Sequence, residues 1–163
     1  MKKIIFILIA TLTASVCFAS SKSKAEQDTK QWRYEIECSG VGATGTYLVK
    51  VWSYSKKEAT ATNQAVKNAV HGVIFKGFAG GNGCSTQRPL IKDPSIETDK
   101  ADFFEKFFGE GGDYQKFGSA TNNIEVIKVG KEYKVGVIVS IYKDNLRKNL
   151  EDAGIIRGLS NGF

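Results

Sequence analysis

Few side chains in this sequence are equipped for chemistry, and they lie far apart. His71 is the only histidine, the one side-chain type whose ordinary titration falls near neutrality. Cysteines stand at 17, 38 and 84. A Cys84–His71 dyad can be drawn, because a thiolate nucleophile needs an adjacent base. No cysteine-protease signature surrounds Cys84, and a disulfide would consume its thiol. A single histidine excludes histidine-pair zinc sites, and neither H-E-x-x-H nor G-x-S-x-G occurs. The run Gly80-Gly81-Asn82-Gly83-Cys84-Ser85-Thr86 invites comparison with a phosphate-cradling loop. It lacks the Gly-Lys-Ser/Thr ending and follows a predicted helix, where a P-loop precedes one. Asp102 and Glu105 are paired carboxylates on a helix face expected to meet solvent, without support for glycosidase chemistry. No catalytic residue, no metal-ligand set and no cofactor is therefore assigned from the sequence.

The cysteines speak more clearly about compartment. Lys2 and Lys3 precede a largely apolar run, Ile4 to Val16, and Cys17-Phe18-Ala19 places small residues at the −3 and −1 positions of a cut before Ser20. That is a secretory signal, residues 1–19, too short to span a bilayer, which needs about twenty apolar residues. Cys17 raises lipidation as an alternative, but Ala14 and Val16 fit a lipobox poorly. Of 23 basic residues, removal of Lys2 and Lys3 leaves 21 against 17 acidic ones, a formal charge of +4. Those lysines are scattered among acids, the pattern of a solvated surface rather than a nucleic-acid stripe, so no nucleic-acid partner is expected. In an oxidising compartment Cys38 and Cys84 are disulfide candidates.

The elements that must position these residues follow from periodicity. Residues 20–31 read as a flexible polar tether, and 32–163 as one α+β domain. Residues 32–38 alternate, with Trp32, Tyr34, Ile36 and Cys38 on one face, which predicts a half-buried strand. Residues 46–54 predict a second strand after a turn with three glycines. Ser55 and Glu58 match a capping box opening a helix that ends near Gly77, with Ala59, Val66, Ala69, Val70 and Val73 on its apolar stripe. A second strand of about 30 Å and a helix of about 33 Å would return Cys84 to the end of the sheet where Cys38 sits. His71 lies about 125° from the centre of the stripe, beside Phe75, which predicts packing under a later aromatic segment. Residues 123–129 and 133–142 predict a hairpin around Gly130-Lys131, with Val135, Val137, Val139 and Ile141 on one apolar face. Asp144 should cap a last helix, with Leu146, Leu150 and Ala153 inward and a stop at Gly154.

The predicted architecture is ββα-insert-ββα: one antiparallel sheet of about four strands with two main helices on one face. The insert, residues 79–122, is glycine-rich and then aromatic. Phe103, Phe104, Phe107 and Phe108 lie on a short helix at 99–108, which either caps the sheet or offers an apolar patch to a partner.

The alanines Ala59, Ala61, Ala65 and Ala69, the run Gly130-x-x-Tyr133-x-Val135-x-Val137-x-Val139 and the helix from Leu146 to Leu150 together resemble the LPP-type small envelope lipoproteins and the N-terminal domain of flagellar assembly protein T. The likeness covers roughly residues 46–154 and departs from that pattern at the lipobox and the insert. It implies a non-enzymatic envelope role and brings no catalytic residues. The expected protein is an exported, non-enzymatic periplasmic or secreted module that binds another envelope protein. It would be lipid-anchored at the outer membrane only if lipidated at Cys17. The alternative is a small periplasmic hydrolase or ligand-binding protein with its site in the 79–118 loops.

Overall fold

The computed structural model describes residues 32–158. Cys17, the leader and the polar tether lie outside them. β1 (Tyr34–Gly40) and β2 (Tyr47–Ser55) form an antiparallel pair, followed by α1 (Glu58–Asn63), α2 (Ala65–His71) and a π-helical turn (Gly72–Lys76). The insert contains α3 (Ser95–Asp99), α4 (Ala101–Phe107) and a 3-10 turn (Asp113–Phe117). β3 (Gly118–Val129), β4 (Glu132–Ile141) and α5 (Lys143–Asp152) complete the order. The sheet runs β1-β2-β4-β3, antiparallel throughout.

Strict alternation fixes the two central strands. Val49 pairs with Val139, Val51 with Val137 and Ser53 with Val135, and all six are buried on the face that α1 and α2 cover. Burying each valine contributes about 1.5–3 kcal/mol. Ser53 is tolerated there because the Asn68 side-chain amide of α2 donates to its hydroxyl at 2.8 Å. Ala61, Ala65 and Ala69 are fully buried, and these small side chains let the helices lie close to the sheet. Leu146 and Leu150 of α5 are also fully buried. That helix ends as expected at Gly154: its N–H bonds to Glu151 and that of Ile155 to Leu150, the paired closure of a Schellman motif.

Several local expectations give way. β1 starts at Tyr34 and runs to Gly40, later than residues 32–38. No capping box forms, because Ser55 is still the last residue of β2 and Lys57 occupies the cap. Tyr142, not Asp144, precedes α5, and Asp144 falls in the first turn. Ala59 and Ala153 are exposed rather than inward. The insert is shorter than 79–122, since β3 begins at Gly118 and takes in Ser119 to Asn122.

Candidate functional site

The chain's candidate residues fall into three places. The first is buried. The hydroxyl of Tyr34 in β1 donates to His71 Nδ1 at 2.6 Å, and His71 Nε2 donates to Glu97 Oε1 of α3 at 3.0 Å. His71 is 3% exposed and touches the rings of Phe75 and Phe108, at centroid distances of 4.8 and 5.6 Å. Burial, with Lys76 and Lys67 adding repulsion, lowers its pKa to about 3. Glu97 favours the imidazolium, but loss of water around the ring outweighs it, so His71 is neutral with its proton on Nε2. Burial and Glu97 raise the pKa of Tyr34, which stays a phenol. The arrangement is a relay in outline, yet both reactive atoms are enclosed and Cys84 is absent from it.

The aromatic segment supplies the enclosure. Phe104, Phe107 and Phe108 are buried, and Phe104 meets Phe75 at 5.0 Å between centroids. Only Phe103 of the four partner-binding candidates remains half-exposed, stacked on Phe107. Three of the four therefore cover the core. Asp102 and Glu105 face solvent.

The second place is the end of the sheet that holds Cys38. Cys38 and Cys84 form a disulfide with Cα atoms 6.4 Å apart, inside the usual span for such bonds. The glycine-rich run is a small hairpin arm and not a phosphate cradle. Phe78 and Gln87 exchange backbone hydrogen bonds, as do Gly81 and Cys84. Asn82 and Gly83 both take positive φ, 50° and 83°, as a type I′ turn demands. The dipeptide Asn82-Gly83 was the signal that could have revealed the arm. Between the arm and residues 40–48 lies a cleft of about 250 Å³, bordered by both cysteines, Tyr47, Phe78, Ser85 and Gln87. Tyr47 donates to Gln87 Oε1 at 2.7 Å, and burial followed by Asp144 raises its phenol pKa, so it remains a neutral donor. The cleft holds no acid–base pair. Among the described residues no group of three His, Cys, Asp or Glu side chains converges as a metal site.

The third place is the outer strand β3. Ile124, Val126, Ile127 and Val129 are 42–51% exposed, four of the six large hydrophobic residues in that state among the described residues. Pairing with Val137 and Val135 puts Ile124 and Val126 on the helix side of the sheet, and Ile127 and Val129 fall on the other side. The hairpin closes on a two-residue turn at Gly130-Lys131, with positive φ at Gly130 only. In such a ladder Glu125, Ile127 and Val129 exchange bonds with β4, while Ile124, Val126 and Lys128 point their N–H and C=O groups away from the sheet. Nothing in the sequence marked this strand as the outer one.

The open sheet face beside it differs in kind. Trp52 Nε1 donates to Glu37 at 2.9 Å, Lys134 pairs with Glu35 at 2.8 Å, and Lys50 pairs with Glu125. Bonds from Lys134 and Tyr54 hold the Glu35 carboxyl below its ordinary pKa. Gly136 lies opposite Trp52, and a Cβ there would come within 2.7 Å of the indole ring. This face is a cross-strand lattice of partners. Comparison with family models, curated proteins and solved structures finds no match to this chain.

Proposed function

We propose that this chain is an exported, non-enzymatic module that binds another envelope protein by accepting an extended segment of it as a fifth strand beside β3. The observation that carries this reading is the β3 edge: outward backbone donors and acceptors at Ile124, Val126 and Lys128, with apolar side chains on both faces of the strand. An extended backbone is the chemistry that satisfies such a row, and alternate apolar residues on it would continue both faces. The disulfide supports export, because such bonds persist in oxidising compartments. The buried, neutral His71 supports a non-catalytic role, and the partner surface moves from the phenylalanine segment to β3.

Photo-crosslinking tests it. A crosslinker at Ile127 should capture one envelope protein, whereas one at Glu58, exposed on α1, should not. Ile127→Lys/Val129→Lys should abolish capture through position 124 while changing stability by about 0.5 kcal/mol or less. Equal capture from both positions, or capture unchanged in the double variant, would sink the reading. The alternative of a ligand-binding protein has two hollows in or beside the 79–118 loops: the cleft by Cys84 and Gln87, and a larger open one bordered by Phe103, Lys106, Phe107 and Asp113. The first, about 250 Å³, falls below the roughly 300–1,000 Å³ usual for small-molecule sites, and the second, about 400 Å³, lies inside that range.

A further inference from the structure

We propose that the Cys38–Cys84 bond is a site of directed thiol–disulfide exchange, at which an incoming thiolate attacks Cys84 Sγ, displaces Cys38 Sγ and unlatches residues 78–87 from the end of β1. Access sets the direction first. Cys38 is 4% exposed in the strand, whereas Cys84 is partly exposed on the arm. The cleft beside the bond is open, and Gly40, Gly42 and Gly83 on its border have no side chain to obstruct an approaching sulfur.

The β-bulge between Cys38 and Gly40 adds one local donor. The Gly40 N–H lies 3.3 Å from Cys38 Sγ and donates toward it, so negative charge developing on that sulfur is stabilised. The Gly40 carbonyl oxygen lies 3.2 Å from Cys84 Sγ and 3.4 Å from Cys38 Sγ, and the Leu48 carbonyl oxygen 3.8 Å from Cys38 Sγ, so carbonyl repulsion does not separate the two sulfurs. A better leaving thiolate departs faster. Access selects Cys84 as the attacked sulfur and so Cys38 as the leaving one, and the Gly40 N–H donating toward Cys38 agrees with it.

The reagent is a thiol, either a small monothiol or a protein dithiol. Its thiolate forms a sulfur–sulfur bond to Cys84 as the Cys84–Cys38 bond breaks, and the electron pair leaves on Cys38, which then takes a proton from solvent. A second thiolate attacks the reagent's sulfur, releasing the oxidised reagent as a disulfide and Cys84 as a thiolate that is then protonated. Two electrons pass to the protein and two reagent thiols are oxidised. Few links then hold the arm: the Asn82 side-chain amide donating to the Cys38 carbonyl at 2.9 Å, and the Tyr47–Gln87 bond with the Tyr47–Phe78 ring contact.

The test starts from the oxidised mature chain, exposed to reduced glutathione, quenched with iodoacetamide and mapped by peptide mass. Glutathione should sit on Cys84 and carbamidomethyl on Cys38 at least tenfold over the reverse, with an initial rate proportional to thiolate concentration. Dithiothreitol, carrying two thiols, should reduce the bond fully with the same proportionality. Ser85→Trp should slow the glutathione reaction at least fivefold at an unchanged urea midpoint. If that variant's midpoint shifts, Val41→Trp is read in its place, since Val41 is 77% exposed and its substitution leaves the core untouched. In the reduced protein, amides of residues 79–86 should exchange hydrogen at least tenfold faster than in the oxidised one. An even or reversed distribution of adducts, a rate independent of thiol, or an unhindered blocked variant would overturn the direction of attack. Unchanged amide exchange would overturn the latch.

Discussion

The two outer strands of the sheet are treated in opposite ways. β1 is seven residues long, is interrupted by a bulge, and is tied to the arm by the disulfide and the Asn82 side chain. Its Tyr34 is locked to His71, and its Glu35 and Glu37 are engaged across the open face. β3 is twelve residues long, and every residue from Ser119 to Val129 is exposed. Proteins usually blunt a free edge with brevity, charge, proline or cover. One edge here carries such devices. The other has a register shift between Ala120 and Ile124 and the charges of Glu125 and Lys128 beyond it, but no proline and no crosslink. The contrast teaches that an unpaired edge was not beyond this chain's means to close, which is why the open one reads as a docking strand.

Removing the tie at β1 should have the largest effect. Cys38→Ala/Cys84→Ala opens a crosslink spanning 46 residues, and the chain-entropy relation gives a loss of about 4 kcal/mol. Urea unfolding measures it, and a loss below about 1 kcal/mol would show that the arm holds β1 without the bond. Proline substitutions sharpen the contrast at β3. Ile127→Pro removes a donor to β4 and should cost about 3 kcal/mol, whereas Val126→Pro removes an outward donor and should cost about 1 kcal/mol. A larger loss for Val126→Pro than for Ile127→Pro in thermal unfolding would mean that the outward and inward positions have been exchanged.

The last effect is graded with pH. Folded His71 is neutral down to about pH 3, while in the unfolded chain its pKa is near 6.5. Unfolding therefore takes up a proton between those values. The contribution to stability is complete above about pH 6.5 and declines as pH falls toward 3, by up to about 1.4 kcal/mol per pH unit. His71→Gln should flatten that slope in urea midpoints measured from pH 7 to 4. An unaltered slope would place the titration elsewhere.

What could be read from residues alone depended on how much of the code was local. Val135, Val137, Val139 and Ile141 recur at every second position, and both the strand and its inward face followed. Cys84 returned to Cys38 because element lengths constrain where a chain can arrive. The edge position of β3 was hidden, since the start of that strand, Ser119 to Asn123, is polar and an exposed edge needs no apolar alternation. Both helix starts were misplaced by a few residues because Ser55 and Asp144 are good capping types whose backbones were already committed, one to β2 and the other to the first turn of α5. His71 found Glu97 at a sequence separation of 26, a meeting that no spacing rule announces. The helical wheel put His71 on the outside of its helix, and the aromatic segment covers that side as expected.

The π-helical turn at Gly72–Lys76, where the Gly77 N–H reaches five residues back to Gly72 at 2.8 Å, acts as a spacer of one residue. Deleting a single residue within it would let an ordinary α-turn close instead. The chain would then leave the helix rotated by about 100°, and Cys84 would swing away from Cys38. The length of this one turn thus sets the azimuth at which the arm departs, and with it whether the crosslink can form at all.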